Sequence, residues 1–348
     1  MNDQIRRFLR RLPHIIFVLT LGCGGGTGSI PVADTAIDAR NDEVSGDVGR
    51  AADTALSDTP QADTRQADSG IQDLAADVTE ADLTHPFFDF VGEVRLSQSN
   101  TAEGAFQGAG ANAWFWDGPD SFNANLVLLE EEGACQFWVM GLPSLCDPAC
   151  ETSTEWCGPD GACHPKRARL SAGVLTFDGL LQDLAASVSE EAWYTFEGLD
   201  NQAPLFDPGD PILVTAAGDA IPGFQTEVRG VGPMVLPSTT YELVDDQDNV
   251  FSWEPQNDDA IVETAFLVGW HGSPPPAMIW CAAPEEDGAL VVSRHMVEMF
   301  PTAGCMGLFP HTSWARRVHR SVVTTPSGPV EILTEARAHF TLLHGDCR

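Results

Sequence analysis

Beyond residue 84, hydrophobic positions occur in short runs that are rich in aromatic and β-branched residues and are separated by Gly, Pro, Asp and Asn. Runs of this kind, with turn residues between them, predict short β-strands. Alternation of apolar and polar positions is clearest over residues 322–343, where Pro326 to Gly328 predicts a hairpin turn. The close spacing of the runs favours an all-β fold of the β-sandwich or jelly-roll type.

One segment departs from this strand-like alternation. Its apolar residues lie at helix-like spacing, which predicts a single short amphipathic helix in an otherwise β-rich domain. These residues are Leu180, Leu181, Leu184 and Val188.

The β-rich region covers residues 85–348 and contains no Pro- and Ser-rich linker. All-β domains of about 200–250 residues are routine, so the sequence favours a single domain. Its one compositional break is a cysteine-rich knuckle, residues 146–165, which has the character of a small insertion. The length also allows two domains divided near residues 202–210.

The first 22 residues have the layout of an export signal. Four arginines, Arg6, Arg7, Arg10 and Arg11, precede an apolar run over residues 12–22. The run fits a secretory signal peptide and is too short to span a bilayer. It ends at Cys23, and the segment LTLGC resembles a bacterial lipobox, although Thr20 stands where Leu is usual. We predict a signal peptide over residues 1–22 and lipidation of Cys23, with an ordinary signal peptide and an incidental cysteine as the alternative.

Residues 23–84 have the composition of a disordered acidic linker. From Gly24 to Thr84 there is no aromatic residue, and 13 acidic residues stand against three arginines, so chain entropy outweighs any burial. Five aspartates recur at every fifth position, a period of neither helix nor strand: Asp53, Asp58, Asp63, Asp68 and Asp73. A flexible segment of about 60 residues has an r.m.s. reach on the order of 40–50 Å. The linker would therefore hold the β-domain clear of the membrane.

The chain is acidic throughout, which limits its partners. It carries 51 acidic and 18 basic residues, a formal net charge of −33. Such a surface repels nucleic acid and anionic lipid faces, so we expect neither as a partner. The predicted membrane contact is the lipid anchor, and Gly24 after the cysteine implies the outer membrane, by resemblance to enteric sorting rules. The expected location is the cell envelope, on its periplasmic or surface-exposed side.

Cysteine usage indicates disulfides. Apart from Cys23 the chain has eight cysteines, an even number in an exported protein, which favours four disulfides. Half of them lie in the knuckle, with the spacing C-x3-C-x6-C-x5-C: Cys146, Cys150, Cys157 and Cys163. By analogy with EGF-like and follistatin-like knuckles, the first pairs with the third and the second with the fourth. Zinc at these cysteines is the competing interpretation.

The remaining four cysteines lie outside the knuckle. We expect Cys281 to pair with Cys305, which follows it closely in the sequence. By elimination, Cys135 then pairs with Cys347.

Several segments together resemble those of uncharacterised surface lipoproteins common in myxobacteria and related delta-proteobacteria. They are the lipobox with its glycine run, the Asp- and Ala-rich linker, the knuckle CDPACETSTEWCGPDGACHP leading into LSAGVLTFDGL, and MIWCAAPEEDGALVV. The resemblance covers most of the chain after Cys23. It implies a surface lipoprotein with a β-rich domain and supplies no catalytic residues.

The common catalytic motifs are missing from the sequence. There is no H-E-x-x-H, no G-x-S-x-G and no phosphate-binding loop. His271 and Ser273 lie two residues apart in a proline-bound loop without an identifiable orienting acid, so they do not predict a nucleophile.

The acidic residues Asp245, Asp246 and Asp248 are weak calcium candidates, with a solvated turn as the alternative and no other cofactor expected.

Aromatic residues offer the best candidate for a binding surface. The chain has nine tryptophans against two tyrosines. Trp114 and Trp116 would share one face of a strand and, beside Asp117, could stack on sugar rings, although alternating tryptophans on a strand more often mark a buried core face. Arg316 and Arg320 likewise share one face of the strand WARRVHR, which we interpret as charge that protects a sheet edge, with docking of the acidic linker or of a phosphate as the alternative.

These observations favour a lipid-anchored envelope protein without enzymatic activity. Its β-domain would serve as a binding or adhesion module for a glycan or for another envelope protein. The alternative is an envelope polysaccharide hydrolase of jelly-roll type, which needs a pair of cooperating carboxylates that the sequence does not single out.

Overall fold

Two layers of β-structure make up the described part of the chain, so the prediction of an all-β sandwich is confirmed. The computed structural model describes residues 90–118, 126–140, 146–151, 154–157, 162–256, 258–269, 277–300, 309–310 and 313–345. All of them belong to one unit, residues 70–348. The predicted signal peptide, the acidic linker and the loop with His271 and Ser273 lie outside the described residues.

The strands, in chain order, are β1 (Gly92–Asn100), β2 (Phe106–Trp116), β3 (Leu126–Glu132), β4 (Cys135–Met140), β5 (Glu155–Cys157), β6 (Cys163–Pro165), β7 (Arg169–Leu170), β8 (Leu175–Asp178), β9 (Ala185–Val188), β10 (Tyr194–Glu197), β11 (Pro211–Ala216), β12 (Phe224–Arg229), β13 (Thr240–Leu243), β14 (Asn249–Ser252), β15 (Ile261–Gly269), β16 (Ala277–Pro284), β17 (Ala289–Val292), β18 (Phe309–Pro310), β19 (Ser313–Thr325) and β20 (Gly328–His344). A 3₁₀ turn spans Glu285–Asp287, and a short helix, α1, spans Arg294–Met299. No helix among the described residues is long and apolar enough to cross a membrane.

The large sheet is organised around the hairpin of β19 and β20. Its described strands follow the order β3-β4-β16-β15-β19-β20-β1-β2-β7, with β13 beside β20 and β18 beside β15. The hairpin turn lies at Pro326 and Ser327, between the paired residues Thr325 and Gly328, where the sequence predicts it. Gly328 has a φ of +133°, and a Cβ there would come within 2.6 Å of Val91, so this position requires glycine. β1 and β13 run parallel to β20, and the other described pairs in this sheet are antiparallel.

Alternate residues of β20 point into the interior of the sandwich. Two hydrophobic cores lie along this face. The first core, around Phe251, Phe266 and Phe340, is covered by α1 and by the pair β14-β17. The second, around Phe115 and Ile332, is covered by a five-stranded sheet of order β10-β9-β8-β11-β12. Burial of these apolar side chains is the main favourable term in folding such a domain.

Arg317 is fully buried where the two cores meet. Its cross-strand neighbours are Val262, which belongs to the first core, and Ala336, which belongs to the second. The guanidinium pairs with Asp258, and its Nη1 lies 3.2 Å from Oε1 of Glu285. Because a buried charge needs a partner, these two carboxylates allow an arginine at this junction.

The predicted helix over residues 180–188 is wrong. Its second half, Ala185–Val188, instead forms β9, which pairs with β8 and β10, and the three leucines lie in the irregular segment before this strand. Its burial alternates, with Ala186 inside, and Leu181, which a helix would bury, is 52% exposed. Hydrogen bonding to two neighbouring strands outweighs the helix-like spacing of the leucines, which is a weak local preference.

The disulfides confirm one predicted pair and overturn two. Cys150 is bonded to Cys163, as predicted within the knuckle, so these thiols are not free to bind zinc. Cys146 is also disulfide-bonded, and the side chain of its predicted partner, Cys157, is not described. The hairpin of β5 and β6 lies within the knuckle.

Cys135 is bonded to Cys281, which contradicts the predicted pairing of Cys281 with Cys305 and of Cys135 with Cys347. The two residues are 146 positions apart in the chain, and they become direct neighbours, with Cα atoms 4.0 Å apart, when β4 pairs with β16. The pairing of Cys281 with a nearby cysteine was wrong because strand pairing, not distance along the chain, brings its partner close.

We predict that Arg317→Met destabilises the domain by about 3–5 kcal/mol, because it leaves Asp258 and Glu285 as buried charges without their cation. Urea unfolding followed by tryptophan fluorescence measures the change. The control is Arg294→Met on α1, an exposed arginine whose ion pairs are screened by solvent and should therefore contribute little to stability. Equal unfolding midpoints for the two variants would contradict the role assigned to Arg317.

Candidate functional site

The face of the large sheet opposite the two cores carries a group of ion-paired side chains in its middle. We call it the charge cluster, and its members are Glu93 and Arg95 of β1, Glu263 of β15, Arg316 and Arg320 of β19, and Glu331, Glu335 and Arg337 of β20. The four arginines balance the four glutamates in formal charge. The strand registers explain the contacts, since Arg316 lies directly opposite both Glu263 and Arg337.

Six members form a continuous row of alternating sign: Glu331, Arg320, Glu263, Arg316, Glu335 and Arg337. At its centre the fully buried Glu263 accepts hydrogen bonds from Arg316 and Arg320, with a distance of 2.8 Å from Nε of Arg316. At its end Nη2 of Arg337 lies 2.9 Å from Oε1 of Glu335. The centre of the row is therefore saturated with partners.

Strand β19 is thus an interior strand, and the prediction that its arginines protect a sheet edge is wrong. β15 and β20 flank it on its two sides. Arg316 and Arg320 are largely buried and paired with carboxylates, so they form no basic surface. The sequence signal that was missed is the alternation of glutamate on β20 with arginine on β19.

The buried ion pairs set the protonation of the central carboxylates. Burial by itself would raise the pKa of Glu263, but Arg316 and Arg320 outweigh it and lower this pKa to about 2. Burial acts in the same direction on Glu335, where Arg316 and Arg337 lower the pKa to about 2. Both groups are ionised at neutral pH, as the arginines beside them require.

Glu93 behaves in the opposite way. Burial raises its pKa to about 7, and the lowering effect of Arg95 does not compensate. Nη2 of Arg95 lies 2.8 Å from Oε1 of Glu93, but the contact lacks the alignment of a hydrogen bond. Glu331 and Glu335 add further repulsion. Near neutral pH, Glu93 is consequently in exchange between its acid and its carboxylate form.

Tryptophans border the charge cluster on the same face. Trp114 and Trp116 share this face of β2, as the strand period predicts, and Phe115 between them points into the second core. Both indoles are half-buried. The guanidinium of Arg95 lies 5.5 Å from the ring centroid of Trp114, and that of Arg337 lies 4.8 Å from Trp314. Each of these arginines is therefore held between a carboxylate and an aromatic ring.

At the end of β2 the aromatic residues reach the surface. Arg169 of β7 lies between two rings, 5.0 Å from the centroid of Trp116 and 3.1 Å from that of Trp193, and we call these three residues the edge stack. Trp193 lies in the turn between β9 and β10 and is 56% exposed. Asp117 is exposed, and its carboxylate accepts a hydrogen bond from the backbone N–H of Ala168 at 3.0 Å, which holds β7 against β2.

Sequence reasoning missed two members of the edge stack, because Trp193 follows Trp116 by 77 positions in the sequence. The available signal was the basic segment that directly follows the knuckle and contains the chain's one lysine, Lys166, beside Arg167 and Arg169.

The three calcium candidates do not converge on one point. Asp245 lies 3.2 Å from Nε2 of His344, and Asp246 lies 3.0 Å from Nη2 of Arg294. Asp248 accepts a hydrogen bond from the backbone N–H of Arg294 at 2.8 Å. Among the described residues, the potential metal ligands that do lie together are Cys146, Cys150 and Cys163 of the knuckle, where disulfides occupy the sulfur atoms.

No protein-family model matches this chain, and no curated protein is found to be similar to it.

We predict opposite pH dependences for two conservative variants of the charge cluster. The pKa of Glu335 is about 2 in the folded protein and 4.5 ordinarily, so its stabilising effect exists above pH 4.5 and is lost as the pH falls toward 2. Glu335→Gln should therefore cost about 3 kcal/mol at pH 7 and progressively less below pH 4.5. Urea unfolding at several pH values measures the free energy of unfolding of this variant and of Glu93→Gln.

The pKa of Glu93 is raised to about 7, so its contribution favours folding below pH 4.5 and is lost as the pH rises through 7. Glu93→Gln should stabilise the domain by about 1–2 kcal/mol at pH 8 and have little effect at pH 4. Destabilisation by Glu93→Gln at pH 8 would contradict the protonation assigned to this residue.

Proposed function

We propose that this chain is a lipid-anchored protein of the bacterial cell envelope that binds a carbohydrate at the edge stack without turning it over. The observation that carries the proposal is the exposed ring of Trp193, which is held in place by Arg169 and followed along the same surface by Trp116. A rigid, accessible indole in a polar surrounding is a good platform for the apolar face of a sugar ring.

Polar groups beside the edge stack suit the hydroxyl groups of a sugar. Asp117 and Asn112 are exposed near the two tryptophans of β2. Trp114 extends the aromatic surface two residues further along β2, toward the charge cluster. A chain of sugar units could therefore contact several rings in succession, each at low cost in side-chain entropy.

The N-terminal sequence supports the envelope location. The basic segment, the short apolar run and Cys23 fit a lipoprotein signal, and the resemblance to myxobacterial lipoproteins points the same way. The acidic linker, residues 23–84, would place the edge stack tens of ångströms from the membrane. This arrangement suits a glycan or another polymer of the envelope as the partner, at the outer membrane. The strongly acidic surface argues against nucleic acid.

A polysaccharide hydrolase is the second candidate, and one observation favours it. Glu93, with a pKa of about 7, and the ionised Glu335 lie on the same face of the sheet as Trp114. A protonated and an ionised carboxyl group on one face are the groups that glycoside hydrolysis uses. The extensive pairing of Glu335 with arginines argues for a structural role instead.

We predict that Trp193→Ala weakens carbohydrate binding at least tenfold, because it removes the exposed stacking surface while leaving both cores intact. A glycan array identifies ligands for the full-length protein, and calorimetry then compares the variants. The control is Val250→Ala on β14, which removes an equally exposed apolar side chain elsewhere.

Failure of every carbohydrate to bind would contradict the proposal. Release of reducing ends above background from the bound polysaccharide, and its loss in Glu93→Gln, would establish the hydrolase instead.

We predict that a clickable palmitate analogue labels the protein in cells and that Cys23→Ser abolishes the label. The substitution removes the thiol that the lipobox places at the cleavage site. Labelling that persists in Cys23→Ser would contradict the lipid anchor.

A further inference from the structure

We propose that the carbohydrate carries carboxylate groups and that one of them binds between Arg95 and Arg337, at the open end of the charge cluster. This inference rests on the proposed function, since it names the class of sugar that the same surface would take.

The first observation is accessibility. The side chains of Arg95 and Arg337 are 23% and 25% exposed, whereas those of Arg316 and Arg320 are 8% and 13% exposed. Two of the four arginines in the cluster are therefore within reach of a ligand.

The second observation is incomplete pairing. Among the described residues, Arg316 and Arg320 each contact two carboxylates, whereas Arg95 contacts Glu93 alone. The only carboxylate that Arg337 contacts among the described residues is that of Glu335, which it shares with Arg316. The Nε atoms of Arg95 and Arg337 are buried without a hydrogen-bond partner in the described structure. Because a buried Nε is out of a ligand's reach, a further acceptor would bind the Nη donors, of which each guanidinium has four.

The third observation is the proximity of two like charges. Burial lowers the pKa of Arg337, and the charges of Arg316 and Arg95 lower it further, while Glu335 raises it. Glu335 lies between the levels of Arg95 and Arg337 along β20 and offsets part of this repulsion, and a ligand carboxylate on the solvent side of the two guanidiniums would offset more of it. An acidic ligand is thus favoured here in spite of the negative net charge of the chain, because charges beyond about 8–10 Å are screened at physiological salt.

The fourth observation is shape. Beside the two arginines, β1 and β2 present small residues on this face. Ser97 and Ser99 follow Arg95 along β1, Ser99 lies opposite Arg337 of β20, and Gly110 and Gly108 lie opposite the serines on β2. Both serine hydroxyls donate to the facing glycine carbonyls, at 3.1 and 3.3 Å, so they lie flat on the sheet. At this point no large side chain of β1 or β2 therefore projects from the sheet. From there, Trp114 leads along β2 to the edge stack, which gives a continuous path for a sugar chain.

Binding of the carboxylate should be linked to protonation of Glu93. This group faces Arg95 on its own strand, Glu331 and Glu335 on β20, and Arg316 on β19, and Trp114 lies opposite it on β2. A ligand anion near Arg95 takes over part of the role of the Glu93 carboxylate and adds a negative charge, so it favours the neutral acid. We therefore expect tighter binding at pH 6 than at pH 8.

The test compares oligogalacturonate with its methyl ester at equal chain length, by calorimetry on the full-length protein. We expect the acid to bind at least tenfold more tightly than the ester at pH 6. Arg95→Gln and Arg337→Gln should each remove this preference, and Arg337→Lys, which keeps the charge, should retain part of it. The matched control, Arg294→Gln on α1, should preserve the preference in full. Glu93→Gln should remove the difference between pH 6 and pH 8.

Equal affinity for acid and ester in the wild-type protein would overturn this inference and leave carbohydrate binding in place. The inference would also be overturned if Arg95→Gln and Arg337→Gln kept the preference for the acid while their circular dichroism showed native folding. If either variant fails to fold, the acid-to-ester ratio of the wild type and the Arg337→Lys variant still decide. Absence of binding to acid, ester and every neutral glycan would instead remove the proposed function and this inference with it.

Discussion

The burial of charge on both faces of β19 is the constraint on which the large sheet depends. Arg316 contacts carboxylates on one face, and Arg317 contacts others on the opposite face, between the two cores. A shift of β19 by one residue would exchange the two faces and leave each arginine without its partners. Because an unpaired buried charge costs several kcal/mol, the ion pairs exclude such shifts. We infer that the arginines specify the register of the central hairpin, while apolar burial supplies most of its stability.

The same constraint explains where the candidate site lies. In the centre of the sheet, each arginine has two carboxylates, and Glu263 is fully enclosed. Toward β1 and β2, each arginine has fewer carboxylates, since Arg95 has Glu93 alone, and tryptophans border the cluster, with Trp114 beside Arg95. The ion-pair network thereby ends in two partly exposed arginines, each of which contacts a single carboxylate. A candidate site formed in this way needs no separate catalytic or binding motif, which agrees with the absence of such motifs from the sequence.

The edge stack depends on a short and local piece of structure. β7 has two residues, and it is aligned on β2 by the pairing of Trp116 with Arg169 and by the hydrogen bond from Ala168 to Asp117. The knuckle precedes β7 directly and is closed by the bond between Cys150 and Cys163. A segment with little apolar surface of its own is thus held by a disulfide, and it delivers a basic side chain to an aromatic surface. This gives the inserted knuckle a role in the site that its composition does not suggest.

The features that the sequence alone predicted correctly all follow from local periodicity and turn residues. The sequence predicted the all-β class, the hairpin turn at Pro326 and the shared face of Trp114 and Trp116, because a strand's period of two and a turn's need for particular residues act between near neighbours. Tertiary structure decided the rest. The bond between Cys135 and Cys281 and the ion pairs of β19 join residues that are far apart in sequence, and they exist because one pairing of strands buries all their side chains together. Such pairing is a collective property of the sheets, and it also placed Ala185–Val188, the end of a segment with helix-like apolar spacing, in β9.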